Sequence, residues 1–322
     1  MTTKLWSVLA RRGQVLVLLA LVITASCFQH GFLSRFNLSA IAFQYSLIGF
    51  IALGQFLVML TAGIDLSQGA IIGATSMVAA FVIPSLGVEG GVGVALLAGA
   101  AVGACNGLLA AFTKVPPFVA TLGMMGIVRG IALTVTNSRP IPVHSVAYLQ
   151  LARARIWNTP AVFPLLLVSA FCLWAFLSKW PLGRYMFGVG AHEANARLSG
   201  LPVTRVKLTA YTLSGLLSGL VGALIASRLG TGHPLSGTNY ELESIAAAVI
   251  GGASLFGGIG RVSGIIAGVF ILGVINSMIN LSGASPYLHG TLKGGVILAA
   301  VALTQLRPSA WLRRRAVSQR IA

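Results

Sequence analysis

The sequence predicts an all-α fold, a polytopic membrane helical bundle of about ten spans with one or two of them re-entrant. Three observations predict it. Hydrophobic residues make up 56% of the 322 residues, 39 more are glycine, and only 8% are charged. Ordinary globular domains carry ~25% charged residues, so this chain cannot cover a soluble surface, and it is too apolar to be disordered. Second, the apolar residues fall into runs of about 20, the length that crosses a ~30 Å hydrocarbon core. Third, 22 Lys and Arg face only 5 Asp and Glu, a net charge of +17, and the basic residues lie between the apolar runs. That is the membrane pattern. No basic stripe interleaved with aromatics accompanies it, so the charge does not point to nucleic acid.

The spans are expected at roughly 14–33, 40–62, 68–87, 91–112, 118–137, 161–179, 206–228, 243–258, 262–282 and 288–306. The first follows Lys4, Arg11 and Arg12 and looks like a signal peptide over Val15–Phe28, but further spans follow at once, so it reads as an uncleaved helix. The stretches 68–87 and 243–258 are weak. One begins directly after an acid and the other is short and glycine-rich, so either is a candidate for a re-entrant or broken segment. With a cytoplasmic N-terminus, fifteen basic residues fall on the inside. Five, namely Arg35, Arg139, Arg153, Arg155 and Arg228, fall outside, and Arg129 and Lys293 lie within spans. This bias puts both termini in the cytoplasm. One transmembrane domain over 1–322, its spans at about 14–306 and a basic tail at 307–322, is the expected organisation. Cys27, Cys105 and Cys172 lie inside apolar runs and read as small buried residues.

Glycines repeat every fourth residue at Gly99, Gly103 and Gly107, at Gly260, Gly264 and Gly268, at Gly126 and Gly130, and at Gly215 and Gly219. Small residues at this spacing let helix backbones approach closely. Polar residues inside spans include Gln44 and Gln55, three turns apart on one face, Asn106 on the Gly99–Gly103 face, and Asn276 and Asn280 on a face with Gly273. They either line a pathway or bond between helices, since lipid penalises them.

Asp65, at the boundary of two spans, has two readings. It caps the helix that starts near Leu66, or it lines or gates a pathway. Glu241 and Glu243 are placed to cap the eighth span. The histidines lie in loops or near span ends, so no proton relay is visible. On the inside, His192–Ser199 has helix-forming composition, Glu193 and Arg197 form an i,i+4 pair, and Gly200 and Pro202 end the helix. The sequence has no phosphate-binding G-x-x-x-x-G-K-[ST], no zinc motif and no nucleophile elbow. It offers no catalytic and no metal site.

Four stretches closely resemble the permease subunits of bacterial ATP-binding-cassette importers for monosaccharides, the ribose-type group. They are Gly63-Ile64-Asp65-Leu66-Ser67; Pro117-Phe118-Val119-Ala120-Thr121-Leu122-Gly123-Met124 with Arg129-Gly130; Gly183-Arg184-Tyr185 through Glu193 and Ala196-Arg197-Leu198-Ser199-Gly200; and Tyr240-Glu241-Leu242, Ile245-Ala246 and Val249-Ile250-Gly251-Gly252-Ala253-Ser254 with Gly257-Gly258 and Gly260. Together they cover about residues 35–306. Gln68 stands where the group usually has Val, Ala191-His192 where Gly-Asn is common, and Glu243 where Asp is common. The branched-chain amino acid permeases share the fourth stretch more loosely.

The resemblance implies a binding-protein-dependent importer in the bacterial inner membrane, with two permease subunits, alike or different. It implies a cytoplasmic ATPase, often a tandem one, that binds ATP and Mg, and a periplasmic sugar-binding protein. It leaves this chain without a cofactor of its own. It assigns the ATPase-coupling loop to His192, Glu193, Ala196, Arg197, Ser199 and Gly200. Candidate pathway or gating residues are Asp65, Gln55, Asn106, Thr121, Asn276 and Asn280. The alternative is an ion-coupled secondary sugar carrier, which needs intramembrane acids, and Asp65 is the candidate for that role.

Overall fold

The computed structural model describes residues 2–283 and the isolated residues 291, 294 and 295. The expected span 288–306, Lys293 and the basic tail lie outside the described residues. Within residues 2–283 eleven helices follow one another: α1 (Thr2–Phe28), α2 (Arg35–Leu60), α3 (Gln68–Phe112), α4 (Pro117–Thr136), α5 (Val146–Leu151), α6 (Val162–Lys179), α7 (Pro181–Ala191), α8 (Glu193–Leu198), α9 (Val203–Leu229), α10 (Tyr240–Ile250) and α11 (Val262–Leu281). Four two-residue strands pair in the loops. They are β1 (Ile141–Pro142) with β4 (Thr231–Gly232), and β2 (Arg155–Ile156) with β3 (Thr159–Pro160).

Six of these helices, α2, α3, α4, α6, α9 and α11, are long and apolar enough to cross a membrane, so the expected ten is not reproduced as ten separate long helices among the described residues. The difference has four sources, the first being that the expected span 288–306 lies outside the described residues. Helix α3 runs through 45 residues and takes in two expected spans, broken at Gly87, whose φ of 71° and ψ of −175° no helix accommodates. The apolar part of α1 is short, Gly13–Phe28. The stretch 243–258 is an 11-residue helix, α10, followed by irregular chain.

That irregular stretch still travels. The Tyr240 hydroxyl accepts a hydrogen bond from Gln44 Nε2 at 2.8 Å, while the Gly258 N–H donates to the Leu60 carbonyl at 3.1 Å. Those two α2 residues are about 24 Å apart along the helix. Residues 240–258 therefore run alongside α2 from Gln44 to Leu60 as a half-helix and a loop. Non-helical backbone at such depth is tolerated where protein covers it.

Helix α2 is the hub, buried on every side from Tyr45 to Leu60. It packs on α6, α9, α10 and α11 around one large core that includes Phe50, Phe56, Leu166, Val206 and Ile265. Helices α3 and α9 make the tightest pair. Cβ atoms at Gly99, Gly103 and Gly107 would collide with the backbone of Gly215, Gly219, Tyr211 and Leu208. Gly264 and Gly268 seat α11 against the α10 backbone at Gly251 and Ala247. Gly260 lies before α11, not on it, with a φ of 157° and the Phe56 ring where a Cβ would be. Gly126 and Gly130 on α4 have nothing within 4 Å of a Cβ. All three cysteines are exposed on the bundle surface, a correction to the buried reading. An apolar run in a bundle of this kind has a lipid face as well as a core face, so apolarity does not imply burial.

Candidate functional site

The interior is marked by where α3 begins. Helix α2 ends at Leu60, and residues 61–67 are non-helical. The first side chain of α3, Gln68, donates through Nε2 to the Ile51 carbonyl at 3.1 Å. Ile51 is nine residues before the end of α2, about 14 Å back along it. The chain thus doubles back into the bundle before α3 starts, and Asp65 sits inside, with no exposed surface.

Polar groups close around this break. One Asp65 carboxylate oxygen, Oδ1, accepts from the Ser67 N–H at 3.0 Å and the Ser67 hydroxyl at 2.6 Å. The other, Oδ2, accepts from the Ser214 hydroxyl of α9 at 2.9 Å. Ser67 Oγ accepts in turn from Asn106 Nδ2 at 2.8 Å, and Ser214 Oγ accepts from Gln68 Nε2 at 2.9 Å. Ser244 of α10 donates to Gln68 Oε1 at 2.8 Å. With its amide oriented to satisfy its neighbours, Gln55 donates to Gln68 Oε1 at 3.2 Å and to the Asp65 carbonyl at 3.1 Å. Thr121 Oγ1 of α4 accepts from the Leu66 N–H at 3.2 Å and donates to the Ile64 carbonyl at 3.0 Å.

Five helices are joined through one buried network, and Asp65 lies by the amino end of α3, where helix dipoles favour negative charge. Four of the expected pathway residues, Asp65, Gln55, Asn106 and Thr121, meet here. Asn276 and Asn280 do not. Asn276 bonds the Tyr45 hydroxyl, and both line a separate cavity of about 370 Å³ between α2, α10 and α11. Gln44 lines that cavity as well, away from Gln55.

A second arrangement lies at the end of the bundle where α6 stops and α9 starts. Helix α8 is short because Gly200 takes a left-handed turn, φ 77°, and Pro202 follows. Only Ala196 faces inward; Arg197, Ser199 and Gly200 are exposed, and Leu198 is 88% exposed. His192 flanks the helix, exposed, as its extended N-cap. Glu193 pairs with Arg197 at 3.0 Å and with Lys207 of α9 at 2.8 Å. Lys207 is itself buried and donates to the Ala110 carbonyl of α3 at 3.1 Å. Partial burial pushes the Glu193 carboxyl up, but the hydrogen bonds and charges of Lys207 and Arg197 outweigh it and hold the group below the usual carboxylate range. Beside α8, an open groove of about 610 Å³ is lined by Arg197, Leu201, Pro202, Val203, Thr204 and Arg205.

Sequence reasoning missed Gln68, Ser214, Ser244 and Lys207. Ser214 is 149 residues from Asp65, and Lys207 is separated from Glu193 by the turn at Gly200 and Pro202, on a different helix. Gln68 carried the one available signal, as the departure from the motif around Asp65.

The fold and these two arrangements define an integral membrane protein of apolar helices tied by an internal polar network, with a short exposed helix at one end. Residues 37–301 match the family model described as "Branched-chain amino acid transport system / permease component", and the chain belongs to that family. It is 40% identical over 300 residues to the ribose import permease RbsC of Bacillus subtilis, covering 92% of this chain and 93% of that one. It is 38% identical to the ribose import permease RbsC of Escherichia coli K12, covering 93% and 94%. The D-allose permease AlsC of Escherichia coli is 36% identical, covering 85% of each. No solved structure matches the chain.

Proposed function

We propose that this chain is the transmembrane permease subunit of an ATP-binding-cassette importer that moves a monosaccharide from periplasm to cytoplasm. Similarity to ribose import permeases along more than nine-tenths of both chains carries the reading. The single domain sits in the bacterial inner membrane with both termini cytoplasmic, and the fifteen-to-five bias of basic residues supports that orientation. Helix α3 crosses twice on this reading. At 45 residues it would be roughly 68 Å long unbroken, against a ~30 Å core. Residues 240–258 cross as a half-helix. With α1 and the span expected from the sequence at 288–306, which lies outside the described residues, the crossings number about ten.

Two such permeases form the pathway, and a separate cytoplasmic ATPase binds ATP and Mg and drives transport. The residues His192–Gly200 contact that ATPase. Its push passes from α8 through Glu193 and Lys207 into α9, and from Ser214 into the network around Asp65. A rigid-body switch between outward and inward states follows, biased by the nucleotide state of the partner. Within the network Gln55, Asp65, Asn106 and Thr121 fix the helix break, and Asn276 and Asn280 line the path. Selectivity resides mainly in the periplasmic binding protein.

The test is purification from native membranes in mild detergent with mass spectrometry of what stays bound. A stoichiometric partner with phosphate-binding loops, and uptake that stops when ATP is depleted, is the expected result. No ATPase, with uptake that collapses when the proton gradient is removed, would replace this reading with an ion-coupled carrier.

A further inference from the structure

The cavity of about 370 Å³ between α2, α10 and α11 is built of groups that the network around Asp65 does not use. It runs beside α2 from Asn37 to Tyr45, about 12 Å along the helix. It lies in the half of the bundle away from α8, since the other end of α2, at Leu60, meets α7 at Gly190. Each of the three helices brings a polar side chain to its wall: Gln44 from α2, Glu243 from α10, and Asn276 and Asn280 from α11. Among the described residues no lysine, arginine or histidine lines it. Ala40 and Gln44 also line a larger open cavity of about 680 Å³ beside Arg35 and Arg228, so the two spaces adjoin and a solute has a way in.

The amides on this wall are half used. Asn276 is only 8% exposed, and its Nδ2 donates to the Tyr45 hydroxyl, yet its Oδ1 has no partner among the described residues. Gln44 Nε2 donates to the Tyr240 hydroxyl at 2.8 Å and leaves Oε1 without one. Asn280, one turn beyond Asn276, is exposed, and its side chain has no partner among the described residues. Amides kept only to join helices gain by satisfying both ends, because an unpaired buried polar group is costly. Here three amides from two helices each keep a free end beside one space. That space equals the share of roughly a dozen waters at ~30 Å³ each, and it falls in the range of small-ligand pockets.

We propose that this cavity binds one neutral monosaccharide in transit, so that the permease chain carries a sugar site of its own and selects a second time after the soluble binding protein. The proposal rests on the importer reading above and deepens it, since Asn276 and Asn280 then line the path by holding sugar hydroxyls. Chemistry selects the ligand. The free oxygens of Gln44 and Asn276 accept from hydroxyls, and the Asn280 amide both donates and accepts, as a hydroxyl does. A phosphorylated or acidic sugar meets Glu243 and no cation. An acyl chain leaves every amide unpaired. A metal cation takes the oxygens but strands the Asn280 N–H groups. A site on a path must also release what it binds, so its affinity is low.

The test is equilibrium binding of a radiolabelled sugar to the ATPase-bound permease in nanodiscs, with no binding protein present. The probe is the neutral pentose or hexose that the intact importer takes up fastest from a labelled panel. Saturable binding in the millimolar range is expected, and the phosphorylated form of the same sugar is expected not to compete. Asn280→Leu, at a side chain with no protein partner to lose, is expected to bind about 10-fold more weakly. Ala40→Phe, which places a ring where the two cavities adjoin, is expected to abolish binding. Both variants are expected to give wild-type amounts of monodisperse assembled complex, which separates a lost site from a lost fold. No saturable binding to the wild-type protein overturns the proposal. So does wild-type affinity in both variants, or saturable binding of labelled sodium in place of sugar. If the purified permease holds no ATPase, the same assay on the permease alone still reports on the cavity, so the importer reading and the sugar site fail separately.

Discussion

Asp65 and Glu193 are two of only five acids in the chain, and they are held in opposite ways. Asp65 is fully buried, and its partners are neutral donors from its own loop and from α9. Glu193 is part-exposed at an end of the bundle, and its partners are two cations. The first arrangement fixes a place where the chain must break a helix inside the bundle. The second ties a short exposed helix to a long one with bonds that water can reach. The contrast teaches that rarity marks an acid as important without saying what it does; its partners say that.

The largest effect is expected at the buried acid. Asp65→Leu strands the Ser67 N–H and two serine hydroxyls, each orphaned buried polar group costing ~1–3 kcal/mol. Little folded protein is expected, read by size-exclusion chromatography in detergent; a monodisperse, fully stable variant would break the contrast. Asp65→Asn keeps one acceptor oxygen but presents an amide to a neighbouring donor. A loss of about 1–2 kcal/mol in thermal unfolding is expected. If Asp65→Asn also lowers uptake more than its stability loss explains, Asp65 has a gating role beyond holding the break.

At the surface acid the order reverses, with small stability effects and larger functional ones. Lys207→Met removes the cation shared by Glu193 and the Ala110 carbonyl, at a cost of about 1–2 kcal/mol. Sugar uptake is expected to fall several-fold more than the amount of assembled complex. Glu193→Lys is expected to insert and fold normally while uptake is impaired; wild-type transport in that variant would refute the coupling assignment.

The smallest effect concerns pH. The Glu193 carboxyl is held below its ordinary value of 4.5, so its pairs contribute fully above that pH and are lost as pH falls through the lowered value. Stimulation of ATP hydrolysis by the sugar-binding protein is expected to show no step attributable to Glu193 between about pH 5 and 8. A titration in that window abolished by Glu193→Gln would show the pairs to be weaker than their geometry.

Much of this was legible in the sequence. The apolar runs gave α2, α4, α6, α9 and α11, because a 20-residue apolar run with few charges has few other homes. The 3.6-residue period put Gly99, Gly103 and Gly107 on one face, and Glu193 within reach of Arg197. The return of residues 61–67 into the bundle was not legible. Hydropathy averages over a window, and a chain that turns back through protein stays apolar throughout. The contacts of Ser214 and Lys207 were hidden for another reason. They join different segments, and no local spacing announces Asp65 as the partner of Ser214, 149 residues away, or Ala110 as the partner of Lys207, 97 residues away. Gly126 and Gly130 share the spacing of Gly215 and Gly219 yet meet nothing, so the period indicates an available face and leaves open whether anything uses it.

The glycine contact between α3 and α9 has a mechanical consequence. Where backbone lies directly on backbone there are no side-chain rotamers to repack, so the two helices have no soft direction in which to slide. The next register that would fit is a whole small-residue step away, about 6 Å along the axis. The part of α3 after its break at Gly87 and the facing part of α9 are therefore expected to behave as one beam. A displacement applied at Lys207 is then expected to be carried along α9, with the compliance of the molecule in the joints on either side of that beam.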